Sequence, residues 1–264
     1  MEGLEELNVK IVERCLVLPC LPSPKDTLCL SNFDNQPLLR TFFNTLLVYE
    51  ACEKNLVDPA KTIREALSKV LVYYYPLAGR LRKKEDGKLQ VECTGEGVLF
   101  VGAMVNNNLS AIGDLDYLKP SFKQLLFTFP FNTDLEELHL IVIQVNRFTC
   151  GGFVVVVTFH HSLFDGKGLG QFLKGLGEMA RGEVMPSMKP IWDRELLKPR
   201  KLLVHNLDMI EDKTRGISHP WALPISKESI QVSLTLDSNT IKCMKQGLWK
   251  NVGKYTLHLK LLQL

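Results

Sequence analysis

Apolar positions recur in this chain at two spacings, and the switches between them mark out its elements. After Asp58-Pro59, the residues Ile63, Leu67, Val70, Leu71 and Tyr74 fall at helical intervals and share one face. Asp suits the N-cap because its carboxylate can accept from a first-turn amide. Pro suits the first helical position because its missing N–H would have had no partner there. Pro76 and Gly79 end the pattern. A second helix follows the stretch Ser162 to Gly170, with Leu169, Phe172, Leu173, Leu176, Met179 and Ala180 on its apolar side. Arg181-Gly182 closes it with a cation and then a residue free to turn left-handed.

Between and before these helices the spacing is that of strands. Phe42 to Tyr49 is a buried strand, Leu89 to Cys93 alternates, and Val98 to Val105 is apolar throughout. Asp86-Gly87 and Thr94 to Gly97 supply the turns between them. Leu138 to Val145 and Phe153 to His161 flank Cys150-Gly151-Gly152 and predict an antiparallel hairpin in the core. Leu7 to Leu18 is moderately apolar and runs into Pro19, Pro22 and Pro24, and a short apolar stretch follows at Thr27 to Leu30. Beyond Pro186 the pattern weakens. Lys198 to Ser218 has the character of a linker, and Ile230, Val232, Leu234 and Leu236 alternate as a half-buried strand. Asp237-Ser238 can cap a helix through Ile241, Met244 and Leu248. The fold class is α/β in the wide sense (α+β), with helices packed on a strand-rich middle.

Composition narrows the function classes. The 264 residues are 45% hydrophobic and 23% charged, as in an ordinary globular protein. Net charge is +3 from 32 basic and 29 acidic residues, which points to neither nucleic acid nor an anionic membrane as partner. Seven cysteines, an odd number with no CxxC pair, argue against a disulfide framework and a structural zinc site, and for reduced thiols in a cytoplasmic protein. The first eight residues are acidic and lack the apolar core of a signal peptide.

The stretch Thr158 to Gly166 carries the candidate chemistry, where a buried strand leaves the sheet ahead of a helix. His160 and His161 adjoin in a strand, so their side chains point to opposite faces and do not share a metal easily. A neutral imidazole, with a reference pKa of about 6.5, suits a general base. Spacing alone leaves two readings of His161 and Asp165 open: a base with a loop-fixing carboxylate, or a strand-end histidine bonded to backbone with Asp165 as a turn residue. A metal site is disfavoured because no third ligand sits at a suggestive spacing. Gly166, Gly168 and Gly170 are out of register for G-x-G-x-x-G, and they are expected to turn the chain and let the helix pack closely. No G-x-S-x-G elbow occurs.

His161-Ser-Leu-Phe-Asp165-Gly166 resembles the HxxxDG motif of the BAHD acyltransferases of plants. Tyr74 to Arg80 looks like that family's YYPLAGR segment, Val91 to Gly97 its VECTGEG segment, and Leu30-Ser31 with Asp34 its early LSxxD, all in the family's order. Gln144 to Phe153, Gln171 to Gly175, Glu178 to Glu183 and Pro190 to Trp192 are similar to the taxane acyltransferases of yew. The resemblance implies a chloramphenicol acetyltransferase-like amino-terminal domain, a mixed sheet with flanking helices, over residues 1–200. Residues 201–264 are then a linker, strand and helix ending in a divergent tail, with the second domain missing. It implies transfer of an acetyl, benzoyl or phenylpropanoyl group from acyl-CoA, a co-substrate, to a hydroxyl or amine of a taxane-like metabolite. His161 would be the general base, and Asp165 would hold the loop through a salt bridge. No cofactor is bound permanently and no metal is needed. The family is expected to act as a monomer in the cytoplasm. The family's DFGWG motif does not occur, and residues 250–264 depart from the family pattern. The expectation is therefore a truncated, frameshifted or alternatively spliced product, or an incomplete sequence, inactive or binding-only by itself and prone to self-association.

Overall fold

The computed structural model describes residues 6–51, 57–113, 120–130, 133–194 and Lys242. In chain order these form β1 (Val9–Val17), β2 (Thr27–Cys29), β3 (Phe42–Tyr49), α1 (Pro59–Val70), β4 (Arg80–Lys83), β5 (Leu89–Glu92), β6 (Val98–Val105), β7 (Ile141–Phe148), β8 (Phe153–His160) and α2 (Gly166–Ala180). A five-stranded sheet has the order β1-β6-β7-β8-β3, and a three-stranded sheet the order β2-β5-β4. The larger sheet is mixed: β6 and β7 run parallel, and every other neighbouring pair is antiparallel. The parallel pair needs a crossover, and 3-10 turns at Leu109–Ile112, Pro120–Leu125 and Leu135–Glu137 occupy that connection.

Val154 to Val157 form an unbroken run on β8, the sequence form of a strand covered on both faces. One face, with Val155, Val157 and Phe159, packs with α1 and α2 into the main core. The other, with Val154 and Val156, is covered by Leu7, Ile112, Phe122 and Leu125. Asp58 caps α1 through a 3.0 Å bond from the Ala60 amide, and Arg147 on β7 reaches the same carboxylate oxygen at 2.9 Å, tying the helix start to the sheet. The two helices meet where Gly175 faces Val70: an added Cβ there would lie 3.4 Å from Val70 Cγ2.

The predicted mixed sheet with helices packed on it is what the chain forms, and β3 and β6 run over the expected residues. The differences have local causes. The α1 helix stops at Val70 rather than running through Tyr74, and a separate 3-10 turn over Tyr75–Ala78 follows with Pro76 near its start, where the missing N–H costs no bond; Leu71 and Tyr74 stay buried outside the helix. The β7 strand starts three residues later than predicted: Leu138 caps a 3-10 turn, and Leu140, though its carbonyl accepts from the His160 amide at 2.9 Å, precedes the first paired residue, Ile141. The β8 strand ends at His160, which leaves His161 in a turn. The close helix contact expected of the glycines opening α2 falls instead to Gly175; a Cβ on Gly170 would meet nothing within 4 Å. The linker from Lys198, the strand at Ile230 to Leu236, the helix after Asp237 apart from Lys242, which is helical, the tail and the boundary at residue 200 lie outside the described residues.

Candidate active site

The motif segments converge through a few side chains. In Tyr74 to Arg80, Gly79 is forced by close approach: a Cβ there would lie 2.1 Å from the Glu92 carbonyl oxygen. Arg80, buried, donates to the carbonyls of Gly79 (2.8 Å) and Gly97 (3.3 Å) and pairs with Glu96 at 3.2 Å. Gly97 has φ 102 and sits against the Val17 carbonyl, so only glycine fits. The segments Tyr74–Arg80 and Val91–Gly97 therefore brace the scaffold. A hollow of about 720 Å³ beside them is lined by Arg80, Arg82, Lys83, Glu96, Asp134 and Glu136, among others, and includes neither motif histidine. Two ion pairs join lining residues, Arg80 with Glu96 and Arg82 with Glu136.

The LSxxD segment folds on itself. The Ser31 amide and hydroxyl both donate to Asp34 Oδ2, at 3.0 and 2.7 Å, and the Asp34 amide returns a 3.1 Å bond to Ser31 Oγ. Arg194 then joins this turn to the histidine loop. Its guanidinium pairs with Asp34 and donates at 3.0 Å to the Leu163 carbonyl.

The two histidines behave as differently as their opposite faces predict. His160 is fully buried, edge-on to Phe42 with centroids 5.1 Å apart, and neither ring nitrogen has a hydrogen-bond partner among the described residues. Burial pushes its pKa down to about 3, helped by the charges of His161 and Arg40, so it stays neutral. His161 leaves the strand. Its amide donates to the Thr41 carbonyl at 2.8 Å, and its ring stands edge-on to Phe43 at 4.5 Å with Phe159 at 6.2 Å. Its Nδ1 is buried without a hydrogen bond among the described residues, and the residue as a whole is half-buried. The next residues anchor the turn: Ser162 Oγ donates to the Leu39 carbonyl at 3.2 Å, and Phe164 packs between Phe159 and Phe172.

Asp165 is the N-cap of α2 and accepts from the Gly168 amide at 2.6 Å. Among the described residues it pairs with no cation. Within the described residues the contact of the Asp165 carboxylate is thus a cap; the salt bridge that the family resemblance implied has no partner among those residues. The sequence reading brought His161 and Asp165 to one loop, as found, but missed Arg194 and Phe43. Trp192 marked the family without suggesting that Arg194, two residues on, reaches Asp34.

His161 thus stands half-buried just past the end of an interior strand of a mixed, helix-backed sheet. The crystal structure of vinorine synthase has the same fold over the matched part: TM-score 0.59 at 26% identity, covering 74% of this chain and 50% of that one. The chain belongs to the Transferase family, whose profile matches residues 7–246, and the BAHD resemblance of its motifs holds. It is 50% identical to the 3'-N-debenzoyl-2'-deoxytaxol N-benzoyltransferase of Taxus canadensis, over 96% of this chain and 56% of the relative. It is 52% identical to the 2-alpha-hydroxytaxane 2-O-benzoyltransferase of Taxus cuspidata (94% and 55%) and 48% identical to the taxadien-5-alpha-ol O-acetyltransferase of Taxus chinensis (95% and 56%). The chain spans little more than half the length of these relatives.

Proposed function

We propose that this chain is the histidine-bearing part of an acyl-CoA-dependent acyltransferase that acylates a hydroxyl or amine of a taxane diterpenoid. One observation carries the reading: His161 stands half-buried just past the end of β8, in a turn whose backbone and flanking rings are fixed. Nε2 takes the proton of the acceptor O–H or N–H as that atom attacks the thioester carbonyl. The tetrahedral intermediate collapses, the carbon–sulfur bond breaks, and the imidazolium returns the proton to the departing thiolate. The thioester is already activated, so direct transfer suffices without an acyl-enzyme. A positioned base of this kind contributes about 10² to 10⁴-fold in rate. Asp165 acts structurally by starting α2 immediately after the turn.

The yew relatives at 48–52% identity support the substrate class, because their names place acetyl and benzoyl groups on taxane alcohols or amines. The acyl group belongs to that set, extended by the phenylpropanoyl group in the name of a further Taxus cuspidata relative. Near-neutral charge fits small-molecule partners. The free cysteines Cys15, Cys20, Cys29, Cys93 and Cys150 fit a reducing, cytoplasmic location. Among the described residues no helix is long and apolar enough to cross a membrane. We take the whole enzyme to be monomeric and residues 1–200 to be its amino-terminal domain.

A second reading applies to the 264-residue polypeptide taken by itself: it is inactive or only binds. The chain covers little more than half of its relatives' length, and orientation of two substrates, which can supply roughly 7–11 kcal/mol, needs walls on both sides. The test is an acyl-transfer assay with acetyl-CoA, benzoyl-CoA and a panel of taxane alcohols and amines. It is run on the 264-residue chain and on a chimera that joins it to the remaining portion of the Taxus cuspidata 2-O-benzoyltransferase. Transfer by the chimera supports the acyltransferase reading, and a folded chimera with no transfer to any acceptor contradicts it. Transfer by the chain alone overturns the second reading.

A further inference from the structure

We propose that Arg194 is a positioning residue for His161: its guanidinium holds the Asp34 carboxylate with one nitrogen and the Leu163 carbonyl with another, fixing the turn from which His161 projects. The inference rests on the acyltransferase reading for its catalytic meaning, but the clamp is a feature of this chain's own geometry. The turn has two flanks. On the β3 side, backbone and hydroxyl bonds secure it, from the His161 amide to Thr41 and from Ser162 Oγ to Leu39. On the opposite flank, the side chain that reaches its backbone among the described residues is Arg194, at a carbonyl two residues past His161.

Both anchors of the clamp are themselves held. Asp34 Oδ2 accepts from the Ser31 amide and hydroxyl, so the carboxylate cannot swing. Arg194 follows Trp192, whose Nε1 donates to the Tyr73 carbonyl at 3.1 Å and whose ring lies edge-on to Tyr74 and Tyr75. The guanidinium lies 5.9 Å from the centroid of that ring. The side chains of Arg194 and Asp34 are only 15% and 22% exposed, so solvent screens the pair far less than a surface bridge. A planar fork can satisfy a carboxylate and a carbonyl at once, and a lysine ammonium, a point charge on a flexible stem, cannot hold both in one geometry. The proposal accounts for two motifs that the chemistry left unused: LSxxD supplies the anchor, and the Trp192 segment delivers the arginine.

The test measures the rate at which diethylpyrocarbonate modifies His161 in the 264-residue chain, resolved by peptide mass spectrometry and assigned with a His161→Gln control. Arg194→Lys, Arg194→Ala and Asp34→Asn are compared with the parent chain. His139, whose neighbours are Arg80, Glu96 and Gly97, is the internal reference. Loosening the turn should raise the His161 rate by roughly threefold or more in all three variants while the His139 rate and the melting temperature of Arg194→Lys stay near the parent values. An unchanged His161 rate in the folded variants overturns the proposal. So does a rise at His139 in step with a lower melting temperature, which would make Arg194 a general brace. If Arg194→Ala does not fold, Arg194→Lys and Asp34→Asn carry the comparison. The readout needs no turnover: a controlled His161 rate without any acyl transfer would keep the clamp and remove the chemistry, and the reverse result would do the opposite.

Discussion

Removing the imidazole at position 161 should leave the strand that carries it intact, because the backbone bond to Thr41 and the packing of Leu163 and Phe164 do not involve that ring. His160 is a different kind of histidine, and pH exposes the difference. In the folded chain burial lowers its pKa to about 3, whereas the unfolded chain takes up a proton below about 6.5. The unfolded state therefore binds more protons between those limits, and stability falls as pH drops through that window by up to about 1.4 kcal/mol per pH unit. His139, lowered to about 4 by burial and by Arg80, acts in the same direction over the upper part of the window. Urea unfolding between pH 7 and 4.5 should show this slope, and His160→Gln should flatten it without removing the His139 share. A slope unaltered by His160→Gln would mean that the buried ring does not govern it. His161 was legible in the sequence because it closes an apolar run inside a recognisable motif. Arg194 was not, since it lies in a stretch without periodicity and meets Asp34 across 160 positions of chain.

Asp165 and Gly79 act through the elements they belong to. Asn is as good an N-cap as Asp, so Asp165→Asn should keep stability within about 0.5 kcal/mol, and Asp165→Ala should lose about 1 kcal/mol in urea unfolding. In the chimera the same pair separates cap from charge. Transfer retained in Asp165→Asn and reduced in Asp165→Ala fits the cap, and equal loss in both points to the salt bridge that the family resemblance implied. Gly79→Ala would drive a methyl into the Glu92 carbonyl, between paired strands β4 and β5, and should cost about 3 kcal/mol or more. The elements themselves were readable where one period ran unbroken, as in α1, α2, β3, β6 and β8. The β1 strand was hidden because a register shift between Ile11 and Glu13 breaks its alternation. The β4 strand, Arg80-Leu-Arg-Lys83, presents too little apolar pattern to be seen.

For the whole molecule, the exposed apolar side chains are grouped. Ile11, Val12 and Leu16 stand out on the edge strand β1, and Val184, Met185, Met188 and Ile191 follow α2. An edge left unpaired among the described residues and apolar patches of this kind favour association. Light scattering coupled to size exclusion should show the 264-residue chain self-associating as concentration rises, and a strictly monomeric chain would show that these surfaces are not adhesive.

The general-base role of His161 is tested most directly by comparing kcat/KM for acyl transfer in the chimera with and without His161→Ala, with His160→Gln beside it. The expected result is a fall of about 10² to 10⁴-fold in His161→Ala from a folded protein, and a smaller effect in His160→Gln, whose ring is buried and neutral. Transfer that survives His161→Ala undiminished, in a protein whose fold is unchanged, would contradict the account.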